Sequence, residues 1–230
     1  MHILLKVAAA AGLATSAIAI AAPASAQVAG MATVDVPLAV AGAQARNTAY
    51  QQIATQYAAQ RTTIQQRRQQ RQDLIKTFDT NGDGQLDEAE QAVTQDANNA
   101  TVRQIQAIDQ EVAQLEAPIQ RAQVFVISQV AQQVSPTLQK VITDNKINYV
   151  VSPDALIYSA DGANITAKLV TALNTALPTV TAFPPENWQP TEAGVNLYQQ
   201  VQQILLISAM QQQQAAQAQA AQQGGEVPSR

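Results

Sequence analysis

The sequence predicts an α+β protein that is mainly α, in which a long antiparallel helical hairpin projects from a small β body. Residues 43–78 contain neither Gly nor Pro and are rich in Ala, Gln and Arg, as a long helix requires. Residues 105–126 repeat apolar side chains at alternating three- and four-residue steps, the spacing of a helical seam. Short β-branched runs lie before and after these two segments. We therefore expect three short strands and one hairpin in each chain.

The first 26 residues are expected to be a signal peptide that is removed on export. A short basic start with Lys6 precedes an apolar core over residues 7–22, and Ala24-Ser25-Ala26 has the A-x-A form of a cleavage site. The apolar core is shorter than the roughly 20 residues that a membrane-spanning helix needs. The sequence thus indicates an exported protein of the periplasm that is not an integral membrane protein.

Composition argues against several function classes. The chain has 13 basic and 17 acidic residues and a net charge of −4, so nucleic-acid binding is not predicted. It contains no Cys, and its one His, His2, lies in the predicted signal peptide. The mature protein would lack the groups used for thiol or Ser-His catalysis and for zinc binding. We therefore expect a protein that is not an enzyme.

The β body is predicted to comprise residues 27–42 and 141–178, on either side of the hairpin. Residues 31–36 alternate in character and carry β-branched side chains, which favours a strand that stops at Pro37. This first strand would be separated from its partners by the whole length of the hairpin.

Two further strands and a helix are predicted after the hairpin. Residues 147–152 and 156–159 have strand composition, and Pro153-Asp154 between them favours a turn. A short amphipathic helix over residues 165–177 follows. Three short strands cannot close their own sheet edges, so we expect the body to be completed by oligomerisation.

The apolar side chains of these strands are the predicted core of that oligomer. They offer more apolar surface than one three-stranded piece can bury, and each buried side chain stabilises the assembly by about 1.5–3 kcal/mol. The residues are Val34, Val36, Ile147, Val150, Val151, Leu156 and Ile157.

The predicted hairpin covers residues 43–140. Its first arm places Tyr50, Ile53, Tyr57 and Ile64 along one helical face. The two tyrosines, if partly exposed, would offer apolar contact to a bound chain.

The return arm carries the clearer seam. Its apolar positions are Ile105, Ile108, Val112, Leu115 and Ile119, continued by Ala122 and Val126. Pro118 and Pro136 lie within the arm, and each removes a backbone donor. We expect these prolines to bend or interrupt the helix.

Three arginines of the first arm, Arg67, Arg68 and Arg71, lie near the seam. They could form a cationic strip that binds acidic chains or the anionic head groups of a membrane surface. The alternative is a solvated face in which they pair with acids of the return arm. Those acids are Asp109, Glu111 and Glu116.

The loop between the arms, residues 79–90, resembles an EF-hand calcium loop. Oxygen ligands stand at loop positions 1, 3, 5, 7, 9 and 12, with position 7 contributing its carbonyl. These residues are Asp79, Asn81, Asp83, Gln85, Asp87 and Glu90. Gly84 stands at position 6, where the chain must turn sharply. The loop predicts weak Ca²⁺ binding, with a dissociation constant of roughly 10⁻⁴–10⁻³ M; the alternative is an acidic turn that binds nothing.

The C-terminal part is expected to be an appendage to the body. Residues 179–190 predict a stiff Pro-rich linker, 191–210 an amphipathic helix, and 211–230 a disordered tail rich in Gln and Ala. Trp188 is expected to pack the linker onto the body, although a ligand-contacting role is the alternative. Deletion after Thr179 is expected to leave oligomerisation and activity largely intact.

The order of these parts resembles the Skp (OmpH-like) family of periplasmic chaperones. The resemblance rests on Ala32-Thr-Val-Asp-Val36, on the run from Val141 to Ser159 followed by Asp161, and on Ile165-Thr-Ala-Lys-Leu169. It implies a homotrimer with a shared β-barrel body and three helical arms around a cavity that holds unfolded outer-membrane proteins. The calcium-type loop and the acidic balance depart from the family pattern.

The leading functional hypothesis is therefore a non-catalytic holdase. Its arms would enclose unfolded outer-membrane proteins and prevent their aggregation. Tyr50, Tyr57, Arg67, Arg68 and Arg71 are the candidate client-binding residues. The alternative is a calcium-responsive structural or envelope-tethering coiled-coil protein.

Overall fold

The computed structural model of the protein describes residues 30–158 and 162–223. The predicted signal peptide, Ser159 of the third predicted strand and residues 224–230 lie outside the described residues. The elements in chain order are β1 (Met31–Thr33), α1 (Val36–Gly42), α2 (Gln44–Gln56), α3 (Ala58–Lys76), α4 (Glu88–Gln95), α5 (Ala100–Asp144), β2 (Tyr149–Val151), α6 (Thr166–Ala176) and α7 (Glu192–Gln223). This content confirms the predicted class, mainly α with a small β component.

In the described residues the sheet of the body has two strands, β1 and β2. They run parallel, with Ala32 opposite Val150. Parallel strands need a long crossover connection. Here the entire hairpin is that connection, which explains why the body is assembled from both sides of it.

The first strand is shorter than predicted because a helix begins inside the expected strand. Asp35 accepts a hydrogen bond from the backbone N–H of Leu38 at 2.8 Å, and Pro37 lies in the first turn of α1. An Asp cap followed by an early Pro favours the start of a helix. The prediction of strand up to Val36 was therefore wrong, since Val36 is the first residue of α1.

The third predicted strand does not form at Leu156–Tyr158. The chain makes a 3₁₀ turn at Pro153–Ala155 and leaves the side chain of Ile157 fully exposed. The free side of β1 is instead bonded to the segment before α6. Thr33 donates to the carbonyl of Ala163 at 2.8 Å and accepts from the N–H of Ile165 at 2.9 Å. Among the described residues, 156–158 pair with neither β1 nor β2.

The predicted hairpin is present, with α2 and α3 as its first arm and α5 as its return arm. A break at Tyr57 separates α2 from α3, and α3 packs along α5. The seam prediction is confirmed at Ile108, Ala122 and Val126, all of which are buried. At the far end, α4 and a turn capped by Asn99 connect the loop to α5.

The two prolines of the return arm do not interrupt it. Pro118 and Pro136 both lie inside the 45-residue helix α5. A proline removes one helical hydrogen bond and disturbs the carbonyls of the preceding turn. Gln60 of the first arm donates its side-chain amide to the carbonyl of Leu115 at 2.5 Å, in the turn before Pro118. This bond ties the first arm to the return arm one turn before Pro118.

The C-terminal part belongs to the core, which corrects the expectation of an appendage. Helix α7 packs against α1 and α5, and Val201 is completely buried. The same core contains Val40, Ile127 and Leu169 from three other helices. An amphipathic helix shows which face is apolar but not what that face covers, so the sequence left this contact open.

Helix α7 also continues beyond the predicted end at residue 210. The structure keeps residues 211–223 helical, whereas we expected disorder from Gln211. Gln and Ala have high helix propensity, and a helix already anchored by Val201 needs no new nucleus to extend.

Candidate functional site

The loop at the tip of the hairpin folds around its own side-chain oxygens. Gly82 and Gly84 have positive φ angles of 74° and 81°, which glycine adopts without strain. The two oxygens of Asp79 accept the backbone N–H groups of these glycines at 2.7 and 2.9 Å. Asn81 accepts from the N–H of Asp83 at 2.8 Å, in an Asx-turn arrangement. The polar side chains of this half of the loop are thus held by backbone donors.

Glu90 closes the loop from its other end. It is only 5% exposed, and its Oε1 accepts both the N–H and the hydroxyl of Thr80 at 2.7 Å. Its Oε2 accepts the N–H of Asp87 at 3.1 Å, and Asp87 in turn accepts the N–H of Glu90 at 2.9 Å, which forms a capping box. Hydrogen bonds from the Thr80 hydroxyl, the Asp87 N–H and the Thr80 N–H lower the pKa of Glu90.

The predicted calcium ligands lie in one loop, and their oxygens are of the hard type that Ca²⁺ prefers. Within residues 30–158 and 162–223, no three His, Cys, Asp or Glu side chains are grouped as they would be around a metal ion. Glu90 would have to turn from Thr80 towards Asp79 and Asp83 to serve as a bidentate ligand. Calcium binding at residues 79–90 stays a prediction.

The three arginines of the first arm form ion pairs with the return arm. Arg67 lies 2.9 Å from Glu111, Arg71 lies 2.6 Å from Asp109, and Arg68 pairs with Glu116. These are the partners expected for a solvated face. The side chains are 40–63% exposed, so each pair contributes at most about 1 kcal/mol. A client-binding role for these arginines stays a prediction.

Tyr50 lies near the base of the hairpin, where it is half-buried. Its ring centroid is 5.0 Å from the guanidinium carbon of Arg46, a buried cation. Burial raises the pKa of the Tyr50 hydroxyl and lowers the pKa of Arg46. The raised pKa keeps the Tyr50 hydroxyl neutral at neutral pH. The lowered pKa of Arg46 reflects the cost of burying its charge, which the ring of Tyr50 partly offsets.

A cleft of about 460 Å³ extends from Tyr50 along the groove between the arms. Its walls combine apolar, aromatic and charged side chains, among them Ile53, Ile64, Arg61 and Tyr198. The hydroxyl of Tyr198 donates to Gln123 at 2.9 Å. Burial raises the pKa of Tyr198, and the nearby Glu116 carboxylate raises it further. The cleft is an amphipathic surface without a catalytic arrangement of side chains among its lining residues.

Aromatic residues from the C-terminal part cover the aromatic residues at the hairpin base. Tyr57 and Phe183 meet edge to face with centroids 6.2 Å apart, and Phe125 and Trp188 do so at 5.0 Å. Trp188 thus packs the linker as expected, but it packs onto α5 of the hairpin and not onto the body.

The backbone of this covering segment, residues 181–188, is held by two side chains of α5. We call the segment the strap. The amide of Gln129 donates to the carbonyl of Thr181 at 2.8 Å and accepts its N–H at 3.1 Å. Arg121 donates through Nη2 to the carbonyls of Pro185, Glu186 and Trp188 at 2.7, 2.8 and 2.7 Å.

Sequence reasoning did not find Arg121, Phe125 or Gln129. Their contacts join positions more than 50 residues apart, and no local pattern marks them. The aromatic and proline content of the linker was the only available signal, and it indicated packing without naming a partner.

In the single chain, the residues of the predicted oligomer core differ in how far they are exposed. Val34 is buried and Ile147 and Val150 are half-buried against the chain's own core. Ile157 remains fully exposed, and the neighbouring Tyr149 is 67% exposed. The remaining members of the predicted set, Val36, Val151 and Leu156, are half-buried.

A groove of about 590 Å³ runs between β2 and α7. It is lined by Val34, Val36, Val150, Val151 and Ile204, among others. Within the described residues, the outer edge of β2 and the exposed side chains beside it therefore form an apolar surface that no other element covers.

In the described part of the chain, every helix is too short or too polar to span a lipid bilayer. A family model described as outer membrane protein (OmpH-like) matches residues 30–173. No match was found among curated proteins. One solved structure that is similar to this chain, from Caulobacter crescentus, is described as an OmpH-like outer membrane chaperone. It is 17% identical, the alignment covers 69% of this chain and 93% of that chain, and the TM-score is 0.41.

Proposed function

This chain belongs to the OmpH-like family of outer membrane proteins, whose model spans both the body and the hairpin, and from that membership we propose that it is a periplasmic chaperone. In this proposal the protein is a non-catalytic holdase. It binds unfolded outer-membrane proteins after their export and keeps their apolar segments and strand edges from pairing with one another.

The shape of the hairpin supports this function. Helix α5 has 45 residues, which corresponds to a length of about 68 Å. Only a narrow seam of the arm is buried, and the surface of α3 beyond Ile64 is largely polar and exposed. Such an arm offers a long surface for many weak contacts instead of one enclosed pocket, which suits clients of differing sequence.

The unfilled apolar surface of the body supports assembly of three chains. Ile157 and Tyr158 are exposed, and the edge of β2 has no partner among the described residues. In the proposed trimer these residues would lie against the neighbouring chains, and the three hairpins would enclose one cavity. Tyr50, Tyr57 and the three paired arginines remain the candidate client contacts on the arms.

The test of the proposed function is aggregation of an outer-membrane β-barrel protein diluted from urea, followed by light scattering. The mature wild-type protein is expected to suppress scattering at a one-to-one ratio of trimer to client. Val150→Asp, which places a charge in the body, is expected to dissociate the assembly and lose most of this effect. Undiminished scattering with a correctly folded wild-type protein would refute the proposal.

A second candidate function is calcium binding at the tip of the hairpin. It is favoured by the positive φ angles of Gly82 and Gly84 together with the inward hydrogen bonds accepted by Asp79. In this proposal Ca²⁺ orders the tip without being required for the fold, because Glu90 already ties the loop ends together. The alternative function, a calcium-responsive envelope tether, would bind calcium without suppressing client aggregation.

A further inference from the structure

We propose that the base of the hairpin is a binding site for a short, aromatic-rich segment of an unfolded polypeptide, and that the strap occupies this site in the resting chain. The inference rests on the proposed chaperone function, since it names the place where a client binds. It also explains why the segment beyond the family match at residue 173 returns to the hairpin.

The contacts to the strap backbone do not depend on the strap's sequence. Gln129 presents an amide that pairs with both the N–H and the C=O of Thr181, as a neighbouring peptide group would. Arg121 binds the carbonyl groups of Pro185, Glu186 and Trp188. They converge because the strap turns here, with the N–H of Trp188 donating to the carbonyl of Pro185 at 3.1 Å. Backbone carbonyls of this kind are present in any chain that adopts the same turn.

The side-chain positions of the site select for aromatic and small residues. Tyr57 and Phe125 each present a ring to an incoming aromatic side chain, and the strap fills these positions with Phe183 and Trp188. Ala182, the residue before Phe183, is buried against Ala49, Ile53, Ala122 and Val126. A client segment with two aromatic residues and a small residue could make the same contacts.

Unfolded outer-membrane β-barrel proteins provide such segments. Their strands alternate apolar and polar side chains, and aromatic residues concentrate in girdles near the strand ends. The strap is thus an internal mimic of one client segment. Because the core contact of α7 is made at Val201, outside the strap, the strap can leave while α7 remains packed.

The strap is held loosely enough to be exchanged. Phe183 is 39% exposed, and Trp188 is half-buried. The hydrogen bonds from Arg121 and Gln129 are made mostly at solvent-exposed positions, where water can replace either partner. A competing segment that makes the same contacts would therefore shift the population towards an open strap.

The first test measures binding of a fluorescein-labelled peptide with the sequence of residues 179–190 to the full-length mature protein, by anisotropy. Phe183→Ala weakens the strap and leaves the site unchanged, so the peptide is expected to bind this variant about fivefold or more tightly than the wild type. Thr181→Pro removes the N–H that Gln129 accepts and should act in the same direction. Adding Arg121→Gln to either variant is expected to abolish the gain.

The controls are matched in chemistry and lie away from the site. Leu206→Ala removes an exposed apolar side chain of α7, and Arg103→Gln removes an arginine of α5 near the hairpin tip. Both should bind the peptide as the wild type does. Equal peptide binding by the wild type and both strap variants, with unchanged helix content by circular dichroism, would overturn the proposal.

The second test uses Trp188, the only tryptophan of the chain, as a reporter of strap release. The client is a urea-unfolded outer-membrane protein that contains no tryptophan. When it is added to the wild-type chaperone, the fluorescence emission of Trp188 should shift to the red. Client protection without any shift, together with unchanged client affinity in Phe183→Ala, would overturn the strap mechanism and leave the chaperone function standing. Tighter peptide binding without client protection would support the polypeptide site and refute the chaperone function.

Discussion

Glu90 accepts the backbone N–H and the hydroxyl of Thr80 at 2.7 Å each, across the full width of the loop at the hairpin tip. These bonds join Thr80, four residues after the end of α3, to the first turn of α4. In this structure the Glu90 carboxylate holds the loop closed. A bound cation could hold it closed in the same way. Charge on Glu90 is therefore central to the behaviour of the tip.

The first prediction concerns pH. Hydrogen bonding lowers the pKa of Glu90 below its ordinary value of 4.5. A lowered carboxyl pKa means that the closed loop is favoured above the unfolded-state value and loses this contribution as pH falls through the lower, folded-state value. The backbone N–H of Thr80 should therefore be protected from exchange at pH 6 and lose this protection as the pH falls below the unfolded-state value of 4.5, as measured by NMR.

The control for this pH effect is Glu90→Gln, which keeps the size of the side chain and removes its charge. Its Thr80 N–H should exchange faster at pH 6 and show little further change on acidification. If the wild type and this variant lose protection at the same pH, another acid of the loop controls the tip.

The second prediction concerns calcium. Five acidic side chains lie within residues 79–90, and their repulsion should be reduced when Ca²⁺ binds. Calorimetry is expected to give a dissociation constant of roughly 10⁻⁴–10⁻³ M, with weaker binding of Mg²⁺ because it needs a tighter octahedral shell. Glu90 must exchange its bonds to Thr80 for bonds to the cation, which also weakens the affinity.

Glu90→Gln should remove the calcium heat, because it eliminates the bidentate carboxylate at loop position 12. Thr80→Val is the complementary variant. It removes a hydroxyl that competes for Glu90, so it should bind calcium at least as tightly as the wild type. Binding heat that is unaffected by Glu90→Gln would contradict an EF-hand type of site.

The third prediction concerns the ion pairs between the arms. The side chains of Arg71 and Asp109 are 41% and 49% exposed, so a double-mutant cycle should give a coupling free energy below about 1 kcal/mol. The coupling should decrease further at 0.5 M salt, as surface pairs do. Urea unfolding of the wild type, Arg71→Ala, Asp109→Ala and the double variant measures the coupling free energy. A value well above about 1 kcal/mol would show that the pair stabilises the hairpin more than its exposure indicates.

Local rules predicted a large part of this structure. The pairing of Arg67, Arg68 and Arg71 with acids of the other arm follows from helical periodicity, since both faces were known once the hairpin was recognised. Gly84 at loop position 6 likewise predicted a sharp turn, and its φ angle is 81°.

Long-range contacts were harder to predict, for a physical reason. Val36 starts a helix because the cap and the proline outweighed its β propensity. The bonds from Arg121 to the strap depend on where the chain returns after α6, which no local pattern encodes. Burial of Val201 depends on the same return, so a helix that we expected to be an appendage proved to be part of the core.

The last prediction follows from that burial. Val201 of α7 has no exposed surface and packs in the core shared by α1, α5 and α6. Val201→Ala should lower the free energy of unfolding by about 1–3 kcal/mol, and Val201→Asp should prevent stable folding of the body, because it places an unpaired charge in an apolar core. Leu206→Ala, one and a half turns further along the same helix and 62% exposed, should change stability by less than about 0.5 kcal/mol.

Deletion after Thr179, which would spare the body if α7 were an appendage, should therefore destabilise it. Urea denaturation followed by circular dichroism distinguishes these outcomes, and a truncated protein as stable as the full chain would show that the core is complete without α7.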